Sequence, residues 1–120
     1  MKLNFIKPKN VQASAKLTAH KTGKLGLSKG AAELLKVKDF RFAKFGTDEG
    51  GQLYLLMAHK EDEETFYIAS AGAYYNISAK SLLEDLEVDY TAPETTIFDI
   101  RSTENERVFR LTKRVVKGRK

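Results

Sequence analysis

Polar and apolar residues alternate along most of this chain, and two short stretches with helical spacing interrupt the alternation. Successive side chains of a strand point to opposite faces, so a period of two predicts strands that are buried on one side. Turn-forming residues such as Lys21-Thr22-Gly23 separate the alternating segments. The predicted strands are residues 11–19, 24–27, 40–45, 53–58, 65–70, 74–77, 96–101 and 107–112.

Each helical stretch carries apolar residues three and four positions apart, at Ala31, Leu34 and Leu35 and at Leu82, Leu83 and Leu86. Ser28 and Ser78 are predicted N-caps, because a serine side chain accepts the free backbone N–H groups at a helix start. Ser81 with Glu84 has the spacing of a capping box and is a second candidate start. Helices of two or three turns are not stable alone, so both should pack on a sheet.

The chain contains one unit twice. Residues 25–37 align with residues 75–88, which are one residue longer, and the flanking hairpins repeat as well. Each copy is a ββ-α-ββ unit, and the copies span residues 11–60 and 64–113. A unit of about 45 residues cannot close a core of its own. We therefore predict one domain over residues 1–120, a mainly β (α+β) pseudo-dimer of about eight strands and two small helices.

The predicted core follows from the inward positions of these elements. It comprises Leu17, Leu25, Leu27, Leu34, Leu35, Val37, Phe40, Phe42, Leu53, Leu55, Phe66, Ile68, Ile77, Leu82, Leu86, Phe98, Ile100, Phe109 and Leu111.

The net charge of +5 is unevenly distributed. Residues 1–60 carry 12 Lys or Arg against 4 Asp or Glu, whereas residues 61–120 carry 9 against 12. An acidic run at 61–64 separates the basic first half from a basic tail at residues 114–120. This asymmetry favours an anionic partner for the first half.

Composition excludes several kinds of chemistry. The chain has no cysteine, which excludes disulfides and thiolate metal sites and fits a reducing compartment. The two histidines have no acidic or histidine partner at metal-ligand spacing. The acidic run is a solvated cluster rather than a desolvated catalytic pair. We expect no enzyme activity, no cofactor and no metal, and, since no run approaches a membrane span, a cytoplasmic protein.

The segment from Gly23 to Val37 resembles, without gaps, the signature of the AbrB family of swapped-hairpin DNA-binding domains (SpoVT/AbrB-like). Gly23 and Lys24 match its basic turn, and Leu27, Ala31, Leu35 and Val37 match its apolar positions. Ser28 stands where the family usually has proline, and Lys36 replaces a glycine. Fused two-copy chains resemble the MraZ branch, although its acidic-to-arginine motif is absent here. The resemblance implies two intertwined units that form a swapped-hairpin barrel and present a basic face to duplex DNA.

A second resemblance indicates another ligand, a single strand of nucleic acid. Residues 40–88 resemble the four-strands-then-helix repeat of PUR-alpha and Whirly single-strand binders. In that interpretation bases stack on tyrosines of the sheet, at Tyr54, Tyr67, Tyr74 or Tyr75.

Basic residues near the first predicted hairpin are the candidate nucleic-acid-binding residues. Alternation places Lys16, His20 and Lys24 on the outer face if the leucines beside them are core. Lysines held on a strand pair contact successive phosphates and release counterions. The candidate set is Lys16, His20, Lys21, Lys24, Lys29 and Arg41.

The function predicted from the sequence is nucleic-acid binding, with duplex DNA ranked above a single strand and a transcriptional or architectural role. A protein–protein interaction module without nucleic-acid affinity is the alternative from another class. The sequence leaves open whether the pseudo-dimer pairs again as a homodimer.

Overall fold

Strand-forming alternation produces eight antiparallel strands, which close into a barrel in the computed structural model. The structure describes residues 2–4 and 15–117. The described elements, in chain order, are β1 (Lys16–Ala19), β2 (Lys24–Leu27), α1 (Lys29–Leu34), β3 (Phe42–Thr47), β4 (Leu53–Ala58), β5 (Phe66–Ala71), β6 (Tyr74–Ser78), α2 (Lys80–Asp85), β7 (Thr95–Ser102) and β8 (Val108–Val116). The mainly β fold class is confirmed.

The barrel alternates hairpins from the two halves of the chain. Its strand order is β1-β2-β6-β5-β3-β4-β8-β7, and β7 returns to β1. Every strand therefore has one neighbour from its own half and one from the other half. Closure leaves none of the eight described strands with a free edge, which removes a common cause of aggregation.

The first helix begins where the sequence predicts. Ser28 Oγ accepts hydrogen bonds from the backbone N–H groups of Ala31, at 3.1 Å, and of Lys16, at 3.0 Å. One hydroxyl thus caps α1 and also ties its start to the first strand. This arrangement satisfies a free N–H group at the helix start, as an N-cap serine does elsewhere.

The second helix start differs from the prediction. Ala79 is the N-cap of α2, and no side chain accepts a hydrogen bond there. Ser78 belongs to β6 and is exposed, and Ser81 lies inside the helix. Both predicted caps were therefore wrong. The strand continues one residue further than predicted, so pairing with Lys24 places Ser78 in the sheet ladder.

The core fills the barrel and extends under both helices, in agreement with most of the predicted positions. The described residues add core positions that the predicted set does not contain, namely Ala19, Ala31, Ala43, Met57, Ala79, Leu83, Val88 and Ile97. Leu34, Phe40, Leu53, Phe66, Leu82 and Leu86 are only half-buried against this core.

The prediction that Phe42 is a core residue was wrong. Ala43 is fully buried, so alternation turns Phe42 outward. Its ring lies beside that of Tyr67, with centroids 5.7 Å apart. The error arose because three aromatic residues between 40 and 45 make either phase of the alternation look apolar.

Strand boundaries differ from prediction mainly in the second and fourth hairpins. β3 runs from Phe42 to Thr47, so the turn that follows it is shorter than predicted. Asp48 Oδ1 closes that turn by accepting hydrogen bonds from the N–H groups of Gly50 and Gln52, both at 2.9 Å. β8 continues to Val116, so residues 114–116 of the predicted basic tail belong to the barrel. Residues 11–14 of the first predicted strand lie outside the described residues, as do residues 118–120.

None of the helices in the described ranges is long and apolar enough to cross a membrane.

Candidate nucleic-acid interface

The outer surface of β1, β2 and β6 forms a groove of about 420 Å³. We call it the lysine groove, and it is lined by Lys16, Thr18, His20, Lys24, Gly26, Leu27, Ser28, Tyr74, Tyr75 and Asn76. It joins side chains from the first hairpin to side chains from the third. The two halves of the chain meet here because β2 pairs with β6.

Alternation determines which side chains face the groove. Leu17 and Leu25 are buried, so Lys16 and Lys24 point outward on the neighbouring strands. On β6, Ile77 is buried, and Asn76 and Tyr74 therefore share the outer face. Tyr75 points the other way and packs against the core while its edge reaches the groove.

Gly26 forms the floor of the groove. A Cβ atom at this position would lie 2.4 Å from Nε2 of His20, so the histidine ring lies directly over the glycine backbone. Gly26 faces Asn76 across the β2–β6 ladder. The missing side chain makes room for the imidazole on the outer face of β2.

Lys16 and Lys24 form no ion pair with any residue that the structure describes. Within residues 2–4 and 15–117, the ion pairs join Lys44 to Asp62 and Glu64 and join Arg114 to Asp99. Asp99 faces Lys16 across the β1–β7 ladder, but Arg114 Nε holds its carboxylate at 2.6 Å. The cationic groups of Lys16 and Lys24 are therefore available to an external anion.

The ion pairs of the described residues lie outside the lysine groove. Lys44 Nζ lies 2.5 Å from Asp62 Oδ2, and this hydrogen bond raises the pKa of Lys44 and lowers the pKa of Asp62. The hydrogen bond from Arg114 to Asp99 likewise raises the pKa of the guanidinium. Part of the acidic run at 61–64 is thus paired with β3 rather than with the groove.

The predicted site residues divide into three groups. Lys16, His20 and Lys24 meet in the lysine groove, as the alternation predicted. Lys21 lies beside His20 in a smaller depression next to Pro93. Lys29 lines a larger cleft of about 700 Å³ between α1 and the turn at Gly72, and this cleft shares Ser28 and Tyr74 with the groove.

Arg41 is engaged with the protein itself. Its Nη2 and Nε donate to the backbone carbonyl of Ile68 at 2.7 and 3.1 Å. Its guanidinium carbon also lies 5.4 Å from the ring centroid of Tyr67 and 5.7 Å from that of Tyr75. Arg41 therefore orients two tyrosines of the second half and does not line the lysine groove.

Sequence reasoning missed Asn76, the groove residue with an amide suited to hydrogen bonding a base. The candidate residues were chosen by the basic charge of the first half, and this criterion leaves out an uncharged amide in the second half. The signal was present in the repeat, since Asn76 occupies the position of Gly26 in the second copy. If the equivalent strands of the two copies are assumed to pair with each other, Asn76 is placed beside the lysines.

The described residues contain no group of three or more His, Cys, Asp or Glu side chains that could hold a metal ion. Comparison of the chain with protein-family models, with curated proteins and with solved structures found no match.

Proposed function

We propose that this protein binds nucleic acid and that backbone phosphates dock on the lysine groove. The observation that carries the proposal is the pair Lys16 and Lys24, which share one outward face and have no ion pair with any described residue. Lysines positioned in this way neutralise phosphates and release counterions, and this release drives association. The action is non-enzymatic binding in the cytoplasm.

We also propose that the barrel is a pseudo-dimer of the swapped-hairpin kind. Exchanging β1–β4 with β5–β8 leaves every strand pairing unchanged, which supports this proposal. Equivalent residues even face each other, since Gly26 pairs with Asn76 and Leu55 pairs with Phe109. A pseudo-twofold axis would pass through both pairs and so through the floor of the lysine groove.

The resemblance of residues 23–37 to the AbrB signature agrees with this arrangement. Lys24 of the matched turn lines the groove, and Gly23 O accepts a hydrogen bond from the N–H of Ala79 at 3.0 Å. The turn of the first hairpin thus contacts the helix start of the other half, as in an intertwined dimer.

A salt titration tests the proposal. Binding of a labelled oligonucleotide is followed by fluorescence anisotropy at several salt concentrations, for the protein and for Lys16→Gln and Lys24→Gln. Each substitution is expected to reduce the slope of log affinity against log salt by about one. Lys113→Gln is the matched control, because Lys113 is an exposed lysine of β8, outside the groove.

Two results would contradict the proposal. Absence of affinity at low salt would favour the alternative of a protein–protein interaction module. An equal loss of slope in Lys113→Gln would place the contact outside the lysine groove.

A further inference from the structure

The two halves of the chain contribute different types of side chain to the outer face around the lysine groove. Residues 25–37 align with residues 75–88, so Lys24 corresponds to Tyr74. Leu17 faces Leu27 and Ile68 faces Ile77 in the two hairpins, so Lys16 corresponds to Tyr67. The two lysines of the lysine groove therefore correspond to tyrosines in the second half.

These two tyrosines are unusually exposed for aromatic residues. Tyr74 is 72% exposed and Tyr67 is 55% exposed, and they are the exposed aromatic residues of the described chain. Tyr67 is held on one side by Arg41 and lies beside Phe42. Tyr74 has no ring or hydrogen-bond contact with any described side chain, so most of its ring surface is exposed.

Asn76 lies between the lysines and the tyrosines. Its ladder neighbours on the outer face are Gly26, over which the His20 ring lies, and Ala69, so neither ladder neighbour places a large side chain of its own beside the amide. The amide makes no hydrogen bond within the described residues, and it faces the groove beside Tyr74. An asparagine amide offers a donor and an acceptor, the pair that matches the edge of a base such as adenine.

We infer that the ligand of this face is a single strand of nucleic acid, which lies with its phosphates over Lys16 and Lys24 and its unpaired bases over Tyr74 and Asn76. This inference rests on the proposed nucleic-acid binding. A single strand carries charge along its backbone and exposes aromatic base faces, and the two halves of the surface match these two properties. A duplex keeps its base faces stacked inside, so it would leave the tyrosines without a partner.

The geometry of the sheet allows one nucleotide to contact both halves. β1 and β6 are separated by one strand, which places them about 10 Å apart. Lys16 and Tyr74 line the same groove across this distance. The phosphate of one nucleotide can therefore contact Lys16 on one side of Gly26 while its base contacts Tyr74 on the other side.

The test compares the affinities of a labelled single-stranded oligonucleotide and of the same sequence as a duplex, by fluorescence anisotropy. The intact protein should bind the single strand more tightly. Tyr74→Ala should weaken single-strand binding roughly tenfold, because one base–aromatic stack contributes on this scale, and should leave duplex binding and the salt slope unchanged. Tyr74→Phe should retain the affinity, because it keeps the ring.

Val115→Ala is the matched control, since Val115 is an exposed apolar residue of β8. Its affinity for the single strand should equal that of the intact protein. Tighter binding of the duplex, or no effect of Tyr74→Ala on the single strand, would overturn the inference. If the lysine substitutions still reduce the salt slope in that case, nucleic-acid binding stands and only the single-strand assignment fails. Loss of all affinity at low salt would overturn both.

A separate measurement tests whether Asn76 contacts a base. Homopolymeric DNA and RNA strands of each base are compared for the intact protein and for Asn76→Ala. The variant should narrow the differences in affinity between bases and should retain the salt slope, because the lysines are unchanged. Differences between bases that persist in Asn76→Ala would contradict its assignment to the base.

Discussion

At the scale of single residues, a few side chains determine both the local structure and the character of the groove. Ser28 joins α1 to β1, and Gly26 makes room for the ring of His20 over β2. The repeat supplies natural comparisons, because equivalent positions carry different residues. Ser28 corresponds to Ser78, which caps no helix.

Ser28→Ala should lower the free energy of unfolding by about 2 kcal/mol, because two backbone N–H groups lose their acceptor. Urea denaturation measures the change. Ser78→Ala, at the equivalent and exposed position, should change it by less than about 0.5 kcal/mol. Equal losses in the two variants would contradict the capping role of Ser28.

Gly26→Ala should weaken nucleic-acid binding while the thermal midpoint stays nearly unchanged. The added Cβ would displace the exposed ring of His20, from which it would lie 2.4 Å, and both groups would then fill the groove. Anisotropy and thermal denaturation measure the two effects. A variant with full affinity would show that the floor of the groove does not contact the ligand.

At the scale of elements, the tight turns determine how the hairpins of one half reach the other half. Gly23 has a φ of +87°, a conformation that residues with a Cβ adopt only with strain. A Cβ here would also lie 3.2 Å from the Cβ of Lys80, at the start of α2. The turn therefore needs glycine for its backbone and for its contact with the helix.

Gly23→Ala should cost about 1–2 kcal/mol in the free energy of unfolding, chiefly through the backbone strain. Gly50→Ala is the matched control, because Gly50 lies in another hairpin turn without a positive φ and the nearest atom, Asp48 Oδ1, would be 3.6 Å away. The control should change the stability by less than about 0.5 kcal/mol. Urea denaturation that gave the reverse order would contradict this explanation of the turn.

The loop between β4 and β5 is tied to β3 by the ion pair between Lys44 and Asp62. The pKa of Asp62 is lowered from its ordinary value of 3.8, so the pair stabilises the fold above that value. The contribution is lost as the pH falls through the lowered pKa. The urea midpoint of the intact protein should therefore fall more between about pH 5 and pH 2 than that of Asp62→Asn.

Glu63→Gln is the control for this pH dependence, because Glu63 adjoins Asp62 in the same run and forms no ion pair within the described residues. It should keep the response of the intact protein. An unchanged acid response in Asp62→Asn would contradict a stabilising role for the pair.

The elements could be predicted from the sequence because alternation and helical spacing are local signals. β2 and β4 have the predicted bounds, and Ser28 caps the predicted helix. The predictions for Phe42 and for the cap of α2 were wrong because the local sequence signal was ambiguous at both positions. Pairing with a distant strand determined the structure there. The site was predictable only for Lys16, His20 and Lys24, which share one hairpin.

At the scale of the whole molecule, pairing between strands that are distant in sequence determines which residues come together in the groove. Asn76 and Tyr74 reach the lysines only through the β2–β6 pairing, which joins residues about fifty positions apart in sequence. Each strand has one neighbour in its own half and one in the other, so neither half contains a complete sheet.

The fragments 1–60 and 61–120 should therefore not fold as separate monomers, because each would retain only isolated hairpins, which are marginally stable in water. Circular dichroism at low concentration should show little strand content for either fragment. A fragment that unfolds cooperatively as a monomer would contradict the interdependence of the two halves.

One wall of the barrel, formed by β1, β2 and β6, is the proposed nucleic-acid-binding surface. Backbone amide chemical shifts, followed by NMR as a single-stranded oligonucleotide is added, test it directly. We expect the changes to centre on β1, β2 and β6, at Lys16, Lys24 and Asn76, and to be small on the opposite wall formed by β4 and β8. Changes centred on β4 and β8, or no changes at low salt, would contradict the account.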